Sequence, residues 1–418
     1  MFESVTKLIT SCPCGRKHSL LTDECVVADD AAAQMKKYIA ERGYKRPLIL
    51  CDENTKRFAD ELSDITTLVY TVDGNAHATE VYSANAIDFV NGSGADVLIA
   101  VGSGSLHDIT RYTAYDRKLP FISYPTAASV DGFVSGVAAM TWYGQKLTFE
   151  SAPPVAVFAV PDVFCTAPHR LTASGVGDVI GKYTSLFDWR VSEILTGEYR
   201  CQGICDLEYE AIDAVRAAIK VRSPETEREY TVRVMEALLL SGLAMQLTGN
   251  SRPASGAEHH MSHLWEMCCI NEESNALHGE KVGVGLLHVL REYHDYLAHI
   301  DTGAISSIDL RKVFDRSYIE RAYGKLTDVT LRENLPNGSS SLADIRVTED
   351  TADLLTKAAE SLPTAEEAEE LLRAAGAPVT NEELDLPSDP DFIKLSLTYA
   401  PYVRNRLTLL KVIKASEL

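Results

Sequence analysis

Over the first ~165 residues, short apolar, β-branched runs alternate with amphipathic stretches. Pro47-Leu-Ile-Leu-Cys-Asp52 is apolar at nearly every position, which predicts a strand buried on both faces. Residues 67–72, 96–101, 120–124 and 155–160 read the same way. Helical spacing falls between them, at 29–42 (stopped by Gly43), 56–62, 79–90 and from Gly102-Ser-Gly-Ser105 to Tyr115. Strands alternating with helices imply parallel pairing in an α/β domain. After about Thr166 the strand signal disappears. Residues 208–221, 225–247, 281–298, 309–323, 364–375 and 391–413 carry helical spacing, punctuated by Asn337-Gly-Ser-Ser-Ser341 and Gly376-Ala-Pro378. The expected architecture is an α/β N-terminal domain with a parallel sheet, residues 1–165, and an all-helical C-terminal domain, residues 166–418.

The chain has 418 residues, 45% of them apolar, enough for a sizeable core. Its formal charge of -20 argues against nucleic-acid and anionic-membrane partners, which need clustered Lys and Arg. A small anionic substrate stays open, because local field matters more than net charge. No stretch approaches ~18 uninterrupted apolar residues, so no membrane insertion is expected. Residues 1–9 lack a signal-peptide layout. Nine cysteines without framework spacing suit a reduced, cytoplasmic protein. Cys12-Pro-Cys14-Gly, with His18 and Cys25 nearby, has the makings of a small metal knuckle. No second Cys-x-x-Cys half lies within reach, so an N-terminal turn or hairpin is the preferred reading.

Val101-Gly-Ser-Gly-Ser-Leu-His-Asp108 follows an apolar strand and opens a helix. Glycines there let the backbone approach a diphosphate, and a helix N-terminus offers free N–H groups. The third glycine of the dinucleotide fingerprint is missing, so a plain strand-to-helix turn competes. Pro125-Thr-Ala-Ala-Ser-Val-Asp-Gly132 follows the next strand, with hydroxyls at Thr126 and Ser129 suited to ribose or phosphate and Asp131 to a polyol. Asp52 ends its strand, where an acid can take both ribose hydroxyls and repel a 2′-phosphate, favouring NAD over NADP; helix capping is the competing reading.

Three further stretches suggest a metal: Gly175-Val-Gly-Asp178, Glu258-His-His-Met-Ser-His263 and His278-Gly-Glu-Lys281. One carboxylate and two imidazoles make the three-ligand set of a catalytic zinc-like ion with an open position. His259 and His263 are one helical turn apart and share a face. Four of the eleven histidines fall between positions 259 and 278. His260 competes with His259 as a ligand, since sequence does not set the helix phase. Asp178, at the start of an apolar helical stretch, could equally be a cap. Arg252 and Lys182 are candidates to hold an anionic substrate group such as a phosphate.

With these motifs in hand, the chain resembles the sn-glycerol-1-phosphate dehydrogenase family, in the iron-containing alcohol dehydrogenase and dehydroquinate synthase-like superfamily. The resemblance rests on Gly102-Ser-Gly-Ser, Pro125-Thr-Ala-Ala-Ser-Val-Asp-Gly, Gly175-Val-Gly-Asp, Ser251-Arg-Pro-Ala-Ser-Gly-Ala-Glu-His and His278-Gly-Glu-Lys-Val-Gly-Val-Gly, in that order. It implies a nucleotide-binding N-terminal domain for NAD(P) and a helical domain carrying a divalent metal, zinc, nickel or iron. Asp178, His259 and His278 fall on its metal-ligand positions. Gly102, Ser103, Gly104, Ser105, Leu106, Thr126, Ala127, Ala128, Ser129 and Ser135 fall on cofactor positions, and Asp131, Asp178 and His263 on substrate positions. Asp178 and His263 are then the catalytic pair. The implied reaction interconverts dihydroxyacetone phosphate and sn-glycerol 1-phosphate, so the expected partner is a small phosphorylated three-carbon substrate, and a homo-oligomer is expected. Ser103 stands where the superfamily commonly has glycine. A glycerol or other polyol dehydrogenase and a dehydroquinate synthase-like lyase are the alternatives on the same scaffold.

Overall fold

A computed structural model describes residues 2–143, 145–300, 306–309, 316–334 and 344–416. The chain divides into two compact units, residues 1–175 with 206–250, and residues 176–205 with 251–418.

The first unit begins with α1 (Glu3–Ser11), β1 (Glu24–Val27), α2 (Ala31–Arg42), β2 (Pro47–Asp52), α3 (Lys56–Glu61), β3 (Val69–Val72) and α4 (Glu80–Ser93). It continues with β4 (Val97–Gly102), α5 (Gly104–Arg117), β5 (Phe121–Pro125), β6 (Val137–Trp142), β7 (Gln145–Glu150), β8 (Ala156–Ala159) and α6 (Pro161–Phe164). Six strands form one parallel sheet in the order β1-β8-β5-β4-β2-β3. Side chains alternate across it: Leu48, Leu50, Leu98 and Ala100 enter one apolar cluster, Ile49, Cys51, Ile99 and Val101 the other. Burial on both faces is why these strands read as continuous apolar runs. Gly43 ends α2 in the left-handed region, as its position predicts. Sequence reading missed the four-residue β1, too short to show a period, and the antiparallel β6–β7 hairpin.

Helix α7 (His169–Ile180) spans the boundary between the units, and α8 (Lys182–Thr196) lies in the second. The next pair, α9 (Gln202–Lys220) and α10 (Glu227–Thr248), contributes mostly to the first unit. The second unit then holds α11 (Ala257–Glu266), α12 (His278–Ala298), β9 (Ser306–Asp309), α13 (Arg316–Tyr323), α14 (Thr327–Asn334) and β10 (Asp344–Val347). Four more helices follow: α15 (Glu349–Ala359), α16 (Ala365–Ala374), α17 (Pro390–Tyr399) and α18 (Leu409–Ser416). Among its described residues it is helical apart from one short antiparallel pair, β9 with β10.

Two expected helices differ. The one placed at 309–323 is a helix from Arg316, while Asp309 ends a strand; residues 310–315, like the break at 337–341, lie outside the described residues. The one placed at 391–413 is two helices, because Pro401 lacks an N–H and its ring clashes with the preceding turn. That break puts Arg404 and Arg406 on a loop.

Candidate metal and nucleotide sites

In the first unit, the positions expected to hold a cofactor lie along one sheet edge. Asp52, Gly102 and Pro125 are the C-terminal residues of the adjacent parallel strands β2, β4 and β5. Ligands of parallel α/β sheets collect beyond that edge. Ser103 is the N-cap of α5, so the amides of Gly104, Ser105 and Leu106 lie in its first turn. A Cβ on Gly102 would lie 2.3 Å from the Leu106 side chain, so any larger residue there would have to displace Leu106. The Gly102 carbonyl accepts from the Thr126 amide at 3.0 Å, linking the turn to the loop after β5.

Thr126, Ala127, Ala128 and Ser129 are buried in that loop. Asp131 opens the following 3-10 turn and accepts from the Ser241 hydroxyl of α10 at 3.0 Å. Ser135 ends the turn, and its hydroxyl caps locally against Val137. Buried Arg111 braces the whole segment by donating to the Gly132 and Val137 carbonyls and to Asp108, a role that its position in an ordinary amphipathic helix did not announce. Asp52 Oδ1 accepts from the Thr55 amide at 2.8 Å and hydroxyl at 2.9 Å, so it also serves the local turn into α3.

The second unit brings Asp178, His259 and His278 together. One ligand atom from each lies within 4.8 Å of the others. Asp178 sits in the last turn of α7 and not at a helix start, because Gly175 and Gly177 lie inside that helix. Gly177 is there for close approach: a Cβ would stand 2.1 Å from the carbonyl oxygen of Gly279, next to His278. The glycine thereby lets α7 lie against the start of α12, and the carboxylate and imidazole meet.

The histidines are aimed by two acids that sequence reading did not single out. His259 Nδ1 lies 2.7 Å from Glu258 Oε1, and His278 Nδ1 lies 2.8 Å from Glu266 Oε1. A carboxylate at Nδ1 fixes the tautomer and leaves Nε2 for a metal. His259 Nε2 is 3.4 Å from Asp178 Oδ1. Glu258 is itself held by the Gly256 amide and the Thr184 hydroxyl. Its position beside His259, and that of Glu266 seven residues on along the same helix, were the available signals. One carboxylate and two anchored imidazoles fit a divalent cation of the zinc, nickel or iron kind.

Burial alone would raise the Asp178 carboxyl, but Lys182 and His259 hold it well below the ordinary range. His259 moves the other way: burial lowers it, yet Asp178 and Glu258 push it up to about 9, so a metal must displace a proton there. The His263 ring lies 6.1 Å from that of His259 and 5.5 Å from that of His278, and burial keeps it neutral. His260 is fully buried and lies outside the group that Asp178, His259 and His278 form.

The expectation that Arg252 or Lys182 holds a substrate phosphate needs correction. The Arg252 guanidinium is buried and donates to both Glu198 oxygens, the Leu407 carbonyl and the Ser192 hydroxyl. Lys182 is buried against Asp178. Other cations gather instead around α11. Burial does most to depress His260 and His263, with smaller contributions from Arg406, Lys411 and Arg404 at His260 and from Arg404 at His263. Arg406 donates to the Ser251 and Ser255 carbonyls and the Ser251 hydroxyl, and Lys411 to the Asn334 amide oxygen and the Arg404 carbonyl.

No helix among the described residues is long and apolar enough to cross a membrane. Residues 26–168 match the sequence pattern of the iron-containing alcohol dehydrogenase class. A solved iron-containing alcohol dehydrogenase from Thermococcus thioreducens superposes with a TM-score of 0.59 at 18% identity, over 96% of this chain and 99% of that one. Within that class the relatives are more specific. A glycerol-1-phosphate dehydrogenase [NAD(P)+] of Bacillus licheniformis is 34% identical over 98% of this chain and 93% of its own length. That of Geobacillus stearothermophilus is 33% identical over 98% and 96%. The chain belongs to the glycerol-1-phosphate dehydrogenase family.

Proposed function

We propose that this protein is an NAD(P)- and metal-dependent sn-glycerol-1-phosphate dehydrogenase that interconverts dihydroxyacetone phosphate and sn-glycerol 1-phosphate. The observation that carries the reading is the convergence of Asp178, His259 and His278 with both imidazoles anchored at Nδ1. In this reading residues 1–165 do the nucleotide-binding work and residues 166–418 the metal and substrate work, with Asp131 of the first segment also on the substrate.

When bound, a dication at these three residues supplies Lewis acidity toward the ketone oxygen and a nicotinamide supplies the hydride. The chain's residues do the rest. Asp178, His259 and His278 hold the metal, and Glu258 and Glu266 keep the two rings turned toward it. The first-turn amides of Gly104, Ser105 and Leu106 take the diphosphate, with Thr126 to Ser129 and Ser135 as the loop contacts. Asp52 accepts from the adenosine ribose and favours NAD. Asp131 and His263 hold substrate hydroxyls, and neutral His263 relays a proton from solvent, accepting at one ring nitrogen as the other gives its proton to the developing alcohol oxygen.

Arg404, on the loop after Pro401, takes the phosphate. A guanidinium there favours a phosphorylated substrate over glycerol or another free polyol. The cysteines form no disulfide, which accords with a cytoplasmic, reducing location. A homo-oligomer remains part of the reading, as does zinc, nickel or iron as the metal.

The test is NADH and NADPH oxidation on dihydroxyacetone phosphate, with the configuration of the product determined. Faster turnover of dihydroxyacetone than of its phosphate, or formation of sn-glycerol 3-phosphate, overturns the proposal.

A further inference from the structure

The N-terminal Cys-Pro-Cys-Gly segment does more than turn the chain. Helix α1 ends at Ser11, and Gly15 takes a φ of 75° that reverses the backbone immediately after Cys14. The Cys12 and Cys14 sulfurs and a His18 ring nitrogen come within 4.8 Å of one another. His18 is buried, and its Nε2 lies 3.2 Å from Cys14 Sγ. Its Nδ1 lies 2.9 Å from the Leu247 carbonyl oxygen in α10. A carbonyl only accepts, so Nδ1 carries the proton and Nε2 presents its lone pair toward the sulfur. The Arg16 amide donates to Cys14 Sγ at 3.3 Å, a bond that favours a thiolate.

We propose that Cys12, Cys14 and His18 bind a structural zinc ion, separate in residues and donor chemistry from the Asp178, His259 and His278 site. A second-sphere carbonyl that fixes the imidazole tautomer is what zinc-binding histidines use. The 3.2 Å sulfur–nitrogen separation is near the roughly 3.6 Å edge of a tetrahedron with ordinary Zn–S and Zn–N bonds. Two thiolates and a neutral imidazole select a soft, tetrahedral dication, and a fourth donor completes the shell. Binding releases the two thiol protons and leaves these three ligands and the ion with no net charge.

Cys25 takes no part: it is buried in β1, paired within the sheet. The knuckle ties the N-terminal segment to the C-terminal end of α10. Gln246, next to Leu247, bonds the Leu21 amide, the Thr22 hydroxyl and the Val134 carbonyl, and Ser241 of the same helix holds Asp131. The zinc therefore fixes a helix that supports the turn bearing Asp131.

The test loads the full-length protein with cobalt(II), which reports thiolate ligation by a near-ultraviolet charge-transfer band that an Asp/His site lacks. Wild type takes up about two dications per chain, and His278→Ala keeps about one, with the thiolate band intact. Cys14→Ser removes the band and one equivalent of metal. Should Cys14→Ser fail to fold, maleimide labelling of the zinc-loaded wild type decides: Cys12 and Cys14 react only after a chelator is added. A His278→Ala protein without the band, or Cys12 and Cys14 labelling equally with and without chelator, overturns the proposal.

Discussion

The Lys182 ammonium lies 2.5 Å from Asp178 Oδ1, and neither side chain is exposed to solvent. Without a metal, Lys182 is the nearest counter-charge for a buried carboxylate. Removing one partner of a buried ion pair costs about 3–5 kcal/mol. Lys182→Met is therefore expected to melt well below wild type when metal-free and to recover most of the difference when metal is restored. Differential scanning calorimetry of both forms checks this. An equal loss in both would show that Lys182 acts apart from the metal site.

Glu266 accepts from His278 Nδ1 at 2.8 Å. Glu266→Gln keeps the size of the side chain but weakens the acceptor at Nδ1, and such outer-sphere changes typically cost about 10–100-fold in metal affinity or activity. Competition with a chromophoric chelator measures it. Wild-type affinity in the variant would mean that His278 is oriented by packing alone.

Arg404→Ala is expected to raise KM for dihydroxyacetone phosphate by about 10–100-fold, the scale of a charge-assisted hydrogen bond of about 1.5–3 kcal/mol. Its kcat should change little, and slow turnover of unphosphorylated dihydroxyacetone should not change. Arg404→Lys should recover part of the loss. An equal effect on both substrates would remove Arg404 from the phosphate site.

Lys411 gives a pH signature. Burial, then Arg252 and Arg406, push its ammonium down from 10.5 to about 7 in the folded protein. Below pH 7 it is charged in both folded and unfolded states, and the fold bears the full cost. Between pH 7 and 10.5 the unfolded chain holds the extra proton, so this group makes stability rise with pH. Denaturant titrations across that window should show a slope in wild type that is reduced in Lys411→Met. Parallel curves would contradict the assignment.

Periodicity found the parallel sheet because its strands are buried on both faces and stand out as apolar runs. Gly102 and the histidine spacing pointed to the two sites because a strand-to-helix turn and one-turn separation leave marks in the sequence. Short β1 has too few residues for a period. Asp178 looked like a helix start because two glycines preceded it, and their reason, contact between α7 and α12, is tertiary. Arg252 looked like a substrate ligand from its neighbours in sequence, while its carboxylate partner, Glu198, lies 54 residues away. Arg404 was hidden because the helix break at Pro401 matters only once the loop is seen beside α11.

The most direct test of the central claim is dihydroxyacetone phosphate reduction by protein stripped of metal, followed by stepwise return of zinc or nickel. The account predicts no turnover in the stripped protein, recovery that saturates with metal returned, and no recovery in Asp178→Ala or His278→Ala. Full turnover by the stripped protein, or recovery in either variant, would contradict it.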